Sequence, residues 1–545
     1  MARKIFILST VLMPAAILAA ATRWPGALWA FVIAAPPIAV GLYDMVQTRH
    51  ALRRVYPLVG HGRYLLEAFR PEIQQYFVEN NTDGTPFSRE FRTVIYQRSK
   101  GARDTVPFGT QRDVNRVGYE WMTHSLDPRH APREEPRVRV GGPQCEQPYL
   151  ASHLNVSAMS FGSLSRHAIE ALNLGAKEGG FAHNTGEGGI SPYHEKHGGD
   201  LIWQIGTGYF GCRSPQGDFD PEAFARRATS AQVKMVEIKL SQGAKPGHGG
   251  ILPAAKITPE ISQIRGVPMD RDVISPPAHS AFSSPRELLE LVQRMRELSG
   301  GKPVGFKLCV GHRSEFLGIC KAMLETGILP DFVTVDGAEG GTGAAPIELS
   351  NSVGMPLRDG LLFVNSALRG IGVRDRVRVI AAGKIATGFH MVRAIALGAD
   401  MCNSARGMMF ALGCIQARRC NDNGCPVGIA TQDPGRVQGL VVSDKAERVR
   451  RYHEDTIEAF LELVASNGLD SPADIRPRNV LRRVDAVTIQ PFSEVYEYLP
   501  VGCLLDAATI PEAWRGRWQR ANADAFNTAP WSIVPPAPRH SRVGP

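Results

Sequence analysis

The chain lacks four things. No GxGxxG follows an early strand, no zinc-finger spacing occurs, no RNA-binding signature is present, and no run consists only of Lys and Arg. The first absence removes the phosphate turn on which dinucleotide-binding doubly wound sheets depend. The others argue against a nucleic-acid partner, although the formal charge is +9. Cysteine is scarce and odd in number, nine in 545 residues, with no CxxC pair. That argues against a secreted disulfide framework. With 43% apolar and 21% charged residues the composition is globular, with length for one or two domains. The basic excess then suits an anionic membrane surface or acidic substrates.

What is present begins with two apolar runs, Ile5 to Thr22 and Ala27 to Tyr43, separated by "RWPG". Each is near the lower limit for a membrane span, roughly 17 residues. Together they predict a helical hairpin over residues 1–48. Arg3 and Lys4 precede it and Arg49, Arg53 and Arg54 follow it. Positive flanks stay in the cytoplasm, so the expected location is the inner (cytoplasmic) membrane, with the body facing the cytoplasm. The rival is a cleaved signal peptide ending near "ILAAAT"; the second apolar run and the basic cluster after it weigh against that. Residues 49–150 read as a connecting region, with a helix near Tyr64 to Glu79 and no chemistry of its own.

From Asn155 to Arg406 short apolar runs recur, each ending in Gly, Ser, Asn or Lys: "LNVSAMSFG", "GFAHNTGEGG", "MVEIKLSQG", "DVISPPAHS", "PVGFKLCVG", "FVTVDGAEGG", "RVRVIAAGK" and "DMCNSARG". Helix-like stretches such as "SRHAIEALNLGAKEGG", "PRELLELVQRMRELSG" and "GFHMVRAIALGA" lie between several of them. Strands alternating with helices imply parallel pairing and right-handed crossovers. Eight such units predict an α/β fold, a (β/α)8 TIM barrel, over residues 151–435. Residues 436–545 read as a helical C-terminal extension, with a helix from about Asp444 to Asn467, and a tail.

Barrel chemistry gathers at the carboxyl ends of strands. There stand Glu187, then Lys239, Gln242 and Lys245, then Lys307, the loop Gly340 to Gly343, then Gly383 and Lys384, and Arg406. The last two ends are the usual phosphate site of such barrels, here "AGKIATG" and "NSARG". Lys239, Lys245 and Arg265 suit a dicarboxylate. Glu187 either pairs one of the lysines or acts directly. Cys414, Cys420 and Cys425 have five and then four residues between them within "CIQARRCNDNGCPVGIATQ". That spacing suits an iron–sulfur cluster; the alternative is zinc, with Cys402 as a fourth ligand.

"SAMSFGSLS", "GEGG", "LSQGAKPGHGG", "GGTGAAP" and "GCIQARRCNDNGCPVGIATQ" together resemble the flavin-binding synthase domain of glutamate synthase, over about Asn155 to Asp433. The resemblance implies a barrel with FMN and a [3Fe-4S] cluster that makes L-glutamate from 2-oxoglutarate and ammonia by way of 2-iminoglutarate. It implies Cys414, Cys420 and Cys425 as cluster ligands. Ser157, Ala158, Met159, Gln204 and Lys307 are expected near the flavin ring. The loop Gly341, Thr342, Gly343 and the phosphate positions Gly383, Gly388, Ala405 and Arg406 complete the cofactor set. Lys239, Gln242, Lys245 and Arg265 are expected to hold 2-oxoglutarate, with Glu187 close to the substrate; Glu187, Lys239, Gln242 and Lys245 form the expected catalytic set. The amidotransferase domain and the β-helical domain of the large enzymes are not recognised, nor is a nicotinamide fingerprint. Ferredoxin or another electron donor is therefore expected as a partner, and a homo-oligomer is compatible with the sequence. His248 stands where many relatives have Glu. Two other readings remain at this level: an N-methylglutamate synthase or other imine or keto-acid reductase, and a non-catalytic electron-transfer subunit at the membrane.

Overall fold

A computed structural model of the chain describes residues 2–526; the expected tail beyond them lies outside the described residues. The chain divides into two compact units, 1–89 and 90–545.

In the first unit, helices Ala2–Ala21 and Ala30–Val46 are joined by the 3-10 turn Pro25–Trp29. Both are long and apolar enough to cross a membrane, by length and composition. They touch where Phe6 covers Gly41, at which any Cβ would collide with the ring. The helix expected near Tyr64 to Glu79 runs from Val59 to Ile73 and loosens into a π turn, Gln74–Val78. Pro71, which has no N–H to give the ladder, sits just before that change.

The second unit is built on a closed parallel barrel. Its strands are β1 Leu154–Val156, β2 His183–Asn184, β3 Leu201–Ile205, β4 Val233–Lys239, β5 Val304–Leu308, β6 Phe332–Asp336, β7 Arg378–Ala382 and β8 Met401–Ser404. Seven of the eight expected runs supply these strands. "DVISPPAHS" does not: Val273–Ile274 pairs antiparallel with Ile251–Leu252 in a separate ribbon, and Pro276 and Pro277 have no N–H for a ladder. The missing strand is β3, "LIWQI", buried at every position. With both faces covered it shows no alternation to read.

Side chains alternate in and out along each strand, so inward positions form layers. The floor is apolar: Ile202, Met235, Phe332, Ile380 and Met401, closed from below by Val140 and Ala151 of the ribbon Val138–Val140/Tyr149–Ala151. One step up, the inward positions of β3, β4 and β6 are Gln204, Glu237 and Thr334. The next step is the rim.

The helix Arg166–Gly179 follows β1. It starts at Ser165, whose side chain accepts from the Ala168 N–H, and stops at Gly180 in the left-handed conformation, φ 67°. The helix Val442–Ser466 lies across it and across the helix Gly388–Ala396. Glycines allow the approach: a Cβ at Gly175 would stand 2.7 Å from Ala446 O, and one at Gly388 2.7 Å from Phe460 N. The C-terminal region differs from the helical extension expected. It also carries strands Val480–Arg483 and Ile489–Pro491, which form an antiparallel sheet with Glu120–Met122.

Candidate active site

The polar layer begins with Glu237, buried inside the barrel. Its carboxylate accepts from Asn184 Nδ2 at 2.8 Å, Gln204 Nε2 at 2.7 Å and Thr334 Oγ1 at 2.6 Å. A buried carboxylate satisfied this fully is a rigid base for whatever stands above it. Above it are Lys239 and Lys307, side by side in register on β4 and β5. Each meets its own carboxylate: Lys239 Nζ lies 2.7 Å from Glu187 Oε1, and Lys307 Nζ lies 3.2 Å from Asp336 Oδ2. Burial opposes the charge of Lys307, but Asp336 and Glu237 outweigh it, and its pKa is raised.

Glu187 sits in a slot walled by backbone. A Cβ at Gly206 would stand 2.5 Å from its Oε2, and one at Gly250 2.6 Å from its Oε1. Burial pushes its pKa up, yet Lys239, Lys245 and Arg265 together bring it below the usual carboxylate range. Glu187 is therefore ionised at neutral pH. Lys245 is only 3% exposed; burial and the charge of Lys239 push its pKa down to about 8, against the pull of Glu187. Arg265 donates through Nη2 to Phe161 O at 2.6 Å and to Ser160 Oγ at 3.2 Å, and packs over the Phe210 ring. Its Nε has no partner among the described residues. Burial lowers its pKa to about 10, with Glu187 opposing. Four predicted residues, Glu187, Lys239, Lys245 and Arg265, thus form one buried ionic group. The pairing of Glu187 with a lysine, one of the two roles foreseen, is present.

The end of β4 is held from behind. His279 Nε2 lies 2.9 Å from the Lys239 carbonyl and so donates to it. Its Nδ1 then accepts from the Tyr209 hydroxyl at 3.0 Å, which itself accepts from the Ala281 N–H. Burial pushes the His279 pKa down to about 4, so this neutral tautomer persists. Tyr209 stands at φ 48°, a strained backbone position for a residue with a Cβ.

The remaining predicted residues are more dispersed. Gln242 is outside the ionic group, at the lip, where Nε2 donates to Gly341 O at 3.0 Å. Gly341, Thr342 and Gly343 are exposed. Ser157, Ala158 and Met159 end β1, and the N–H groups of Ser157 and Met159 are given to Ser404 O and Asn184 O. Gln204 lies a layer beneath the rim, its amide spent on Glu237. At the β7 and β8 ends, beside Gly383 and Ala405, Arg406 donates through Nη2 to Glu339 O at 2.6 Å. Burial lowers the pKa of Lys384, and the nearby Arg406 lowers it further, against the pull of Glu339. Two cations held near enough to repel are relieved by an anion between them. Gly388 is explained without a ligand: the packing of Phe460 against it suffices.

The thiol loop lies beside this rim. Ser165 Oγ donates to Gly428 O, Gln432 Nε2 donates to Gly162 O and Leu164 O, and a Cβ on Gly343 would touch Cys420. Burial raises the Cys414 thiol to about 12, and Cys420 and Cys425 add to the shift, so the three share one neighbourhood. The Gln416 N–H donates to Cys414 Sγ at 3.5 Å. However, among the described residues no three metal-ligating side chains are gathered closely enough to hold an ion. Cys402 is elsewhere, fully buried within β8.

Sequence reasoning missed Glu237, Asp336, Tyr209 and His279, and it noted Lys384 without assigning it a role. Glu237 had a signal in "MVEIK", where a charge occupies the same face as Met235 and Lys239. The role of His279 rests on partners 40 and 70 residues away, which no local pattern reveals.

A closed parallel barrel with a buried cationic group at its carboxyl rim defines a barrel protein equipped to bind a small anion there. Residues 125–470 match the conserved region in glutamate synthase, and the chain belongs to the glutamate synthase family. It is 37% identical to the glutamate synthase large subunit-like protein YerD of Bacillus subtilis, over 84% of this chain and 95% of that one. It is 34% identical to the archaeal NADPH glutamate synthase of Archaeoglobus fulgidus, over 59% of this chain and 60% of that one. Against the NADPH glutamate synthase large chain of Bacillus subtilis it is 34% identical, over 52% of this chain but 18% of that one.

Proposed function

We propose that this protein is an FMN-dependent oxidoreductase that forms L-glutamate from 2-oxoglutarate and ammonia through 2-iminoglutarate. The observation that carries the reading is the group Glu187, Lys239, Lys245 and Arg265. Three cations face one carboxylate, which leaves two positive charges at a largely buried place. A dicarboxylate matches that excess, and burial makes the match selective.

The rim also fits a flavin nucleotide. The neighbouring cations Lys384 and Arg406 suit its phosphate, the exposed loop Gly341–Gly343 borders the opening, and Lys307 keeps a positive charge held by Asp336. FMN, when bound, supplies hydride to the imine carbon. The chain's own residues bind, orient and hold protons. Lys245 and Arg265 take the carboxylates. Glu187, already ionised, does not donate a proton; it holds one against its Oε1, on Lys239 Nζ. That ammonium is the proton source where the keto oxygen leaves as water. The chain from Tyr209 through His279 fixes the Lys239 backbone and hence the origin of this side chain. Cys414, Cys420 and Cys425 are the proposed ligands of an iron–sulfur cluster on the strength of the family relation and their shared neighbourhood. Their side chains are not in ligating geometry, and no step is routed through them. The hairpin is proposed as a membrane anchor with the barrel unit in the cytoplasm, and an external reductant such as ferredoxin as the electron source.

Anaerobically purified protein should release FMN on denaturation and form glutamate from 2-oxoglutarate and ammonium with a reduced donor. Lys239→Ala should lower kcat/KM at least 100-fold while retaining FMN. Flavin-free wild-type protein, or a fully active Lys239→Ala, would refute the proposal; faster turnover with methylamine than with ammonium would reassign the amine.

A further inference from the structure

The first unit carries an apolar stripe that its own fold does not cover. In the helix Val59–Ile73 and the turn after it, Leu66, Phe69, Ile73 and Phe77 recur at three- and four-residue spacing and are 65%, 54%, 42% and 85% exposed. The same helix already has an inner face. Gly60 packs against the Arg53 backbone, where a Cβ would stand 3.1 Å from Cα, and the Tyr64 ring lies under Arg53 and against His50. The stripe is therefore a second, outward face, contiguous where soluble surfaces usually carry apolar side chains singly.

Charge and attachment say what covers it. Residues 49–78 contain five arginines (49, 53, 54, 63 and 70) and two glutamates (67 and 72). Arg63 and Arg70 border the stripe on the helix. The helix is also latched to the end of the second apolar helix: buried Asp44 accepts from the Leu58 N–H at 3.0 Å and bonds His61 Nε2 at 2.9 Å. If that apolar helix crosses a bilayer, this latch lies at the bilayer surface.

We propose that residues 49–78 lie along an anionic lipid bilayer, the Leu66–Phe69–Ile73–Phe77 face among the acyl chains and the five arginines of this stretch, three of them at 49, 53 and 54, at the headgroup level. The proposal rests on the hairpin reading given above. An in-plane amphipathic helix with a basic border is the form such contacts take. It makes the first unit more than a tether, because it fixes where the polar linker leaves the membrane.

The full chain is expressed with the photoreactive p-benzoylphenylalanine in place of Phe69, of Phe77, or of Glu67, which pairs with Arg63 on the polar flank of the helix. Each form is placed in nanodiscs of phosphatidylglycerol or of phosphatidylcholine. Irradiation should give lipid adducts at 69 and 77, at least five-fold fewer at 67, and a higher yield in phosphatidylglycerol. Adducts to protein instead of lipid, equal yields at 67 and 69, or no preference for the anionic lipid would overturn the proposal. Alkaline carbonate washing of native membranes tests the hairpin separately. Release of the protein would defeat the hairpin and this inference together; retention without lipid adducts would defeat this inference alone.

Discussion

Within the ionic group, Lys245 is the residue whose charge lies nearest to neutral pH. Burial and Lys239 hold its pKa at about 8, so its charge is full below pH 7 and is lost as pH rises through 8. If it grips a substrate carboxylate, KM for 2-oxoglutarate should rise several-fold between pH 7 and 9, with a smaller change in kcat. Lys245→Arg should flatten that rise, because a guanidinium keeps its proton throughout the range; steady-state kinetics across this range decide it. The linked effect on folding has the opposite sign. Between pH 8 and the ordinary lysine value the unfolded chain binds more protons here, so this group favours the folded state increasingly as pH rises. Lys245, Lys239 and Glu187 were legible because each follows a strand-like run within a few residues. Glu237 and His279 were not assigned, because a buried hydrogen-bond acceptor and a backbone clamp are defined by what surrounds them in space.

Among elements, legibility tracked burial. Helices such as Pro285–Leu298 announce themselves by an apolar stripe and a serine cap, whereas β3 is buried on both faces and shows no period. The run with two prolines showed a strand-like start and could not continue into a ladder. Element contacts also explain a glycine that pattern reading assigned to a cofactor. Gly388→Ala should place a Cβ against the Phe460 backbone and destabilise the barrel unit by about 1–3 kcal/mol. Denaturant unfolding should show a lower midpoint with flavin content of the folded protein unchanged. A normal midpoint with weaker flavin binding would return Gly388 to the phosphate site.

At the scale of the whole molecule, the matched region 125–470 is smaller than the folded body. The barrel and seven of its eight strands followed from alternation of period and from crossover rules; β3 did not. The sheet that joins Glu120–Met122 to Val480–Arg483 did not, since strands of three and four residues more than 350 residues apart leave no local trace. Glu120 is ringed by Arg358, Arg393 and Arg482 at 2.6, 3.3 and 2.8 Å. Ending the chain at Asp470 removes Arg482 and the central strand of this sheet, and leaves Glu120, Trp121 and Met122 without their ladder partners. Such a protein should be largely insoluble or melt well below the full chain, measured by yield after centrifugation and by thermal scanning.

That long-range pairing has a consequence in time. Arg482 emerges from the ribosome 362 residues after Glu120, a delay of roughly 20 to 70 s at about 5–20 residues per second. Throughout translation of the barrel, the strand that closes the body waits for its mate, and during that wait the nascent chain depends on whatever shields it in the cell.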